Sequence, residues 1–166
     1  MDGREPEALV REFHATYALP VEAGAPSVDR DRVHMRMALI AEEFAELMTA
    51  VYGERAGRLA EEAFAAGVAA DDGPRDVVGA ADALGDLVYV LYGMALECGI
   101  PLPAVLAEIQ RSNLSKLGAD GLPVLRGDGK ILKGPGYVPP DVAGVLARAQ
   151  RTASTMTQAD PPQTRT

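Results

Sequence analysis

An all-α fold, an antiparallel bundle of four to five helices carrying a Gly/Pro-rich C-terminal arm, is predicted by three features of the sequence. Apolar residues recur at helical spacing across 5–18, 38–51 and 77–96. Two of these segments carry acidic residues inside their apolar pattern. Residues 118–140, "GADGLPVLRGDGKILKGPGYVPP", are too rich in Gly and Pro for long regular structure.

Residues 5–18 read as a first amphipathic helix and 20–28 as a connection. A second helix is predicted from a Ser27 or Asp29 cap to about Tyr52, where Gly53 ends it. Residues 54–66 are helical again, continuing the second helix past a bend at Gly53 and Gly57. "GVAADDGP" is a loop, and Pro74 suits the first turn of a helix that runs to Glu97, where "CGIP" stops it. A fourth helix covers about 102–116. The arm has Val124, Leu125, Ile131, Leu132 and Tyr137 as anchors and a small hairpin around "RGDGK". A last short helix starts at Pro140 or Asp141 and reaches about Gln150. Residues 1–150 therefore form one domain, and 151–166 are too poor in apolar residues to order.

The formal charge of −8 argues against a duplex-wrapping role, because sequence-independent nucleic-acid affinity comes from basic footprints. A single cysteine, Cys98, excludes an internal disulfide and fits a reducing compartment; inside an apolar run it reads as a small buried hydrophobe. No basic-plus-apolar leader precedes the first helix, and "LVYVLYGMAL" (87–96) is about half a membrane span. The expectation is a soluble, cytoplasmic protein with neither nucleic acid nor membrane as partner.

The acidic helices carry the chemistry. In "ALIAEEFAELMTAV" (38–51), Leu39, Ile40, Phe44, Leu47 and Val51 share one side, and Glu43 projects into the same arc with Glu42 and Glu46 on its flank. A buried unpaired carboxylate costs several kcal/mol, so a cation is needed beside it. In "VVGAADALGDLVYVLYGMAL" (77–96), Leu84, Leu87, Leu91 and Met94 form one apolar face, while Asp82, Asp86, Tyr89 and Gly93 align on the other. This helix is apolar on nearly every side, so it is expected at the centre of the fold with its aspartates shielded. Two inward acid clusters on neighbouring helices would be reconciled by shared divalent ions. Oxygen-only ligands favour magnesium or manganese over zinc. A di-iron bundle would require paired Glu-x-x-His motifs, and only Asp31-x-x-His34 comes near one. The plain alternative is a solvated acidic face.

All three lysines, Lys116, Lys130 and Lys133, fall at the end of the fourth helix and in the arm, with Arg111, Asn113, Ser115 and Arg126 in the same stretch. Positive and amide donors beside glycines suit a polyphosphate cradle.

"AEEFAEL", "DALGDLVYVLYG", "IQRSNLSKL" and "DGKILKGPGYVPPDV", in this order over residues 33–146, resemble the all-α nucleoside triphosphate pyrophosphohydrolases, the MazG-like and phosphoribosyl-ATP pyrophosphohydrolase-like superfamily with its dimeric dUTPase-like members. The resemblance implies magnesium held by Glu42, Glu43, Glu46 and Asp86. The glutamate expected three residues before Asp86 is Ala83, and Asp82 could supply the missing carboxylate, which leaves the number of ions open. It further implies nucleotide binding by Asn113, Lys116, Lys130, Lys133 and Tyr137, and assembly as a dimer or tetramer. The expected reaction cleaves a (deoxy)nucleoside triphosphate between the α and β phosphorus atoms to a monophosphate and pyrophosphate, with Glu43 or Glu46 as proton acceptor. Pyrimidine deoxynucleotides, dUTP foremost, follow from the resemblance alone, ahead of phosphoribosyl-ATP. The competing expectation is a non-catalytic nucleotide- or metal-binding module of the same fold, which the Ala83 departure favours.

Overall fold

The computed structural model describes residues 5–29, 32–127 and 130–159. Among them lie six α-helices: α1 (Pro6–Thr16), α2 (Val33–Tyr52), α3 (Glu54–Ala69), α4 (Val77–Glu97), α5 (Leu102–Leu114) and α6 (Val142–Ala159). The other ordered pairing among the described residues is an isolated antiparallel bridge between Leu125 and Ile131. The all-α prediction holds, with one helix more than the upper count. The chain divides into two compact units, Gly24–Asp86 and Met1–Ala23 with Leu87–Thr166, and the division falls inside α4.

In the Gly24–Asp86 unit, α2 starts at Val33 instead of at the predicted caps, because the Ser27 hydroxyl accepts the Asp29 amide at 3.1 Å in a turn of its own. Gly53 takes φ +93° and donates its amide to Thr49 O at 2.9 Å. The chain thus reverses there where a bend was expected, and α3 folds back along α2. Gly57 is buried at the crossing: a Cβ on it would lie 2.9 Å from Ala45 O and closer still to Thr49 Oγ1. Small side chains at 45, 49 and 57 let the two backbones approach. Asp71 accepts both guanidinium nitrogens of Arg75 at 2.8 Å, which holds its carboxyl well below the usual carboxylate range. The start of α4 belongs to Asp76, whose Oδ1 accepts the Val78 and Gly79 amides at 3.0 Å each; Pro74 lies outside the helix.

The prediction that the α4 helix lies at the centre with shielded aspartates is overturned for the single chain. Residues 81–91 are exposed throughout, Asp82 and Asp86 included, and Tyr89 is 80 % exposed. The helix pairs that pack are α2 with α3, α1 with α5 and α5 with α6; among the described residues α4 joins no such pair. Glu43 is likewise exposed, as are Ile40, Phe44 and Val51 on its side of α2, while Leu39 and Leu47 are half-buried. The apolar stripes have the expected helical spacing, but nothing among the described residues fully covers them. The 21 residues of α4 would also span a bilayer by length and composition. Asp82 and Asp86 argue against that, since each costs roughly 2.5–3.5 kcal/mol near a bilayer centre.

In the other unit, Leu9, Tyr17, Val105 and Val145 are buried where α1 and α6 pack on α5. The buried Gln110 donates to Glu12 Oε2 at 3.0 Å, and the Phe13 and Tyr17 rings lie 4.6 Å apart. Cys98 is exposed, contrary to the buried reading, since it follows the last turn of α4. The α6 helix runs to Ala159, past the predicted end at Gln150. Thr152, Ser154 and Thr155 explain the extension by donating their hydroxyls to the carbonyls of Arg148, Gln150 and Arg151, so these short polar side chains do not compete with the helix. Asp31, Asp128, Gly129 and residues 160–166, on which part of the Asp31-x-x-His34 motif, the hairpin tip and the tail fall, lie outside the described residues.

Substituting Gly57→Ala is expected to lower unfolding free energy by about 1–2 kcal/mol despite alanine's better helix propensity, because the crossing is overpacked. Pairing it with Thr49→Ala should recover part of that loss; urea midpoints of the three variants check this. The Glu108 carboxyl, partly exposed, is held at about 2 by its hydrogen bonds from Arg111 and from the Asp141 amide. A depressed folded-state value stabilises above the unfolded value and is lost as pH falls, so the contribution disappears between about pH 4.5 and about pH 2. Melting temperatures recorded across that window should fall more steeply for the native protein than for Glu108→Gln.

Candidate functional site

Two chemically distinct surfaces carry the candidate residues. The first is acidic. Glu42, Glu43 and Glu46 sit on α2 at positions i, i+1 and i+4, and Asp82 and Asp86 stand one turn apart on α4. All five are exposed. Ala83, exposed between the two aspartates, leaves a methyl where a third carboxylate would stand. A donor set made wholly of carboxylates fits a hard divalent cation by its chemistry. The single chain does not assemble that set: among the described residues, no three His, Cys, Asp or Glu side chains are placed to hold one metal ion.

The second surface is basic and is built on the C-terminal end of α5. The last carbonyls of a helix have no partners in their own ladder and must find donors elsewhere. Here Ser115 Oγ donates to Ser112 O at 2.7 Å, and Tyr17 Oη donates to Asn113 O at 2.7 Å from 96 residues away in sequence. The Lys116 amide shares the Asn113 carbonyl at 3.2 Å. Burial pushes the Tyr17 phenol up, so it remains a neutral donor over the whole working range.

The arm then folds back on this end. Gly118 N donates to Leu122 O at 2.8 Å to close a first turn. The predicted hairpin exists in minimal form: Arg126 N donates to Lys130 O and Leu132 N to Val124 O, both at 2.8 Å, around the Leu125–Ile131 bridge. Gly134 N reaches Lys116 O at 3.0 Å. Gly134 packs against the backbone of Leu117 so closely that a Cβ would collide with the Leu117 carbonyl, and a Cβ would stand 3.0 Å from Gly118 N. Lys133 places its Nζ 4.6 Å from the centre of the Tyr137 ring, a cation–π contact. Beyond it, the Val138 amide donates to Ser115 Oγ at 2.8 Å and Arg111 Nη2 donates to Pro139 O at 3.0 Å. Glu108 Oε1 accepts the Asp141 amide at 2.6 Å, which fixes the entry into α6.

Of the predicted nucleotide-binding residues, Asn113, Lys116, Lys133 and Tyr137 are therefore tied to one end of α5 by bonds they or their neighbours make, and Lys130 closes the hairpin on the same arm. The anchors Val124, Leu125 and Leu132 are exposed, with Ile131 and Tyr137 half-buried, so the arm is held mainly by hydrogen bonds. Arg111, grouped with the lysines on sequence, is committed to Glu108 and Pro139. Sequence reading missed Tyr17, whose position four residues after Phe13 on an amphipathic helix looks like any core aromatic, and Gly134, one of several glycines in the arm.

The pattern of the phosphoribosyl-ATP pyrophosphohydrolase family matches residues 10–113, which span both acidic helices and end at Asn113. A crystal structure from Exiguobacterium sp. 255-15, of a protein provisionally assigned as an NTP pyrophosphohydrolase, aligns with a TM-score of 0.68 and 28 % identity over 90 % of this chain and 98 % of the other. No curated protein sequence matches closely enough to define a relative. With the match covering well over half of its length and the all-helical architecture in agreement, this chain belongs to the phosphoribosyl-ATP pyrophosphohydrolase family, within the MazG-like NTP pyrophosphohydrolase superfamily.

Proposed function

We propose that this pyrophosphohydrolase is a cytoplasmic, magnesium-dependent oligomer that cleaves a deoxynucleoside triphosphate, dUTP or another pyrimidine nucleotide, between the α and β phosphorus atoms. One observation carries the reading: the carboxylates of α2 and α4 fall inside the family match, while a lysine-bearing arm is built on the helix that follows.

Glu42, Glu43, Glu46 and Asp86 would hold the magnesium or manganese, with Asp82 in place of the carboxylate absent at Ala83. A hard divalent ion there supplies charge neutralisation at the phosphate oxygens. Glu43 or Glu46 takes the proton of the water that attacks the α-phosphorus in line. Lys116, Lys130 and Lys133 carry the charge that develops on the leaving pyrophosphate, and Asn113 orients the chain of phosphates. Tyr137 presents a ring to the sugar or base.

The exposure of α4 supports self-association. Covering Leu84, Leu87, Leu91 and Met94 stabilises by roughly 1.5 kcal/mol each, about 12 kcal/mol over two copies, comparable to the cost of about 4–15 kcal/mol for association. The same burial would desolvate Glu43 and the two aspartates, which restores the need for a cation between them. The acidic and basic surfaces are then completed only in the assembled protein.

The decisive assay is pyrophosphate release from a panel of deoxynucleoside triphosphates, ATP and phosphoribosyl-ATP, with magnesium and with EDTA. Metal-dependent release led by a pyrimidine deoxynucleotide is expected; preference for phosphoribosyl-ATP would overturn the substrate assignment, and binding without release would indicate the non-catalytic module. Glu43→Ala and Asp86→Ala should each lose at least about a hundredfold in turnover, the scale of a removed base or metal ligand, and still elute as folded oligomers. Light scattering should give a dimer or tetramer for the native protein, and Leu87→Asp with Leu91→Asp should shift it toward monomer.

A further inference from the structure

We propose that Tyr17, the last residue of the α1 packing surface, is a positioning residue that sets Asn113 and Lys116 for the phosphates of the nucleotide. This rests on the reading of the α5 end as a phosphate-binding surface.

The geometry is specific to the phenol oxygen. Tyr17 is 1 % exposed, so bulk solvent does not reach its hydroxyl to stand in for a lost partner. It donates to the backbone carbonyl of Asn113 at 2.7 Å, one residue before α5 ends. That carbonyl also accepts the amide of Lys116 at 3.2 Å, so one oxygen ties together the two residues that present an amide and an ammonium at the end of the helix. The next link is Lys116 O, which accepts Gly134 N at 3.0 Å beside Lys133. A chain of backbone contacts therefore runs from Tyr17 through Asn113 and Lys116 to the arm. Burial holds the phenol neutral, so this donor does not titrate across the range in which the enzyme works.

The tight turn at Tyr17 gives the bond its precision. Tyr17 follows Thr16, the final residue of α1, its amide still bonded to Phe13 O at 3.0 Å, and Ala18 immediately takes φ +50°. The ring is packed against Phe13. A side chain so constrained has little freedom to follow a displaced partner, so Asn113 must be where the hydroxyl is.

Tyr17→Phe keeps the packed ring and deletes the bond, leaving the Asn113 carbonyl with the Lys116 amide alone. The expected outcome is a rise of about fivefold in KM for the preferred triphosphate and in the Kd for inorganic tripolyphosphate, as one buried hydrogen bond is worth, with kcat within about twofold. Amide exchange at Lys116 should accelerate in the same variant. Leu9→Ala is the control: it loosens the packing of α1 on α5 while leaving the phenol in place, and should lower the melting temperature at least as much without moving KM. An unchanged KM and tripolyphosphate Kd in Tyr17→Phe, or equal KM changes in the two variants, overturns the positioning role while the pyrophosphohydrolase reading stands. A native protein that releases pyrophosphate without affinity for tripolyphosphate overturns the role as well. A native protein that neither binds tripolyphosphate nor releases pyrophosphate overturns both.

Discussion

The carbonyl end of α5 imposes the constraint on which the Leu87–Thr166 region depends. A helix that stops at Leu114 leaves its last carbonyls facing outward, and each one left dry and unpaired would cost on the order of 1–3 kcal/mol. The Tyr17 phenol just past α1 and the Ser115 hydroxyl from the turn itself answer, and the Gly134 amide from the arm takes the Lys116 carbonyl in the turn that follows. The solution is economical, because the same bonds that satisfy the helix also determine where α1, the turn and the arm lie. A function that needs lysines at a fixed place can therefore be built on a segment almost without regular structure.

The Gly24–Asp86 unit answers a different demand. Its hairpin is held by backbone proximity at Ala45, Thr49 and Gly57, with little large apolar burial between the helices. Apolar side chains that a self-sufficient hairpin would turn inward, among them Ile40, Phe44 and Val51, remain on the surface. Together with the exposed length of α4, they leave an apolar surface of the kind that the proposed self-association would cover. The acidic residues lie on these same surfaces.

Much of this was legible because helical periodicity is a local property. The end of α4 at Glu97, the existence of α5 and the turn-rich arm followed from apolar spacing and from glycine and proline. The bridge around Arg126–Lys130 was also foreseen from turn composition. What failed was whatever depends on contacts that local spacing does not record. The α4 helix reads as central because the sequence records that its faces are to be covered, without recording by what. Glu43 reads as buried for the same reason. The reversal at Gly53 resembles a bend because one glycine supports either, and only the small residues at 45 and 49 distinguish a crossing. Tyr17 and Asn113 lie 96 residues apart, beyond any pattern of spacing. Asp141, named as one of two starts for the last helix, accepts an early amide of α6, while Asp76, which does so for α4, was visible in principle as an acidic residue just ahead of an apolar periodic run.

The tethering of the arm has an entropic corollary. Fixing one backbone residue costs about 1–2 kcal/mol, so a loose segment that closed over a ligand would subtract that sum from affinity. With Gly134, Val138 and Pro139 fastened to Lys116, Ser115 and Arg111 by hydrogen bonds of the fold itself, most of the ordering is complete when the chain folds. The encounter then meets a rigid receptor, whose rate of capture is governed by diffusion and charge instead of by loop closure.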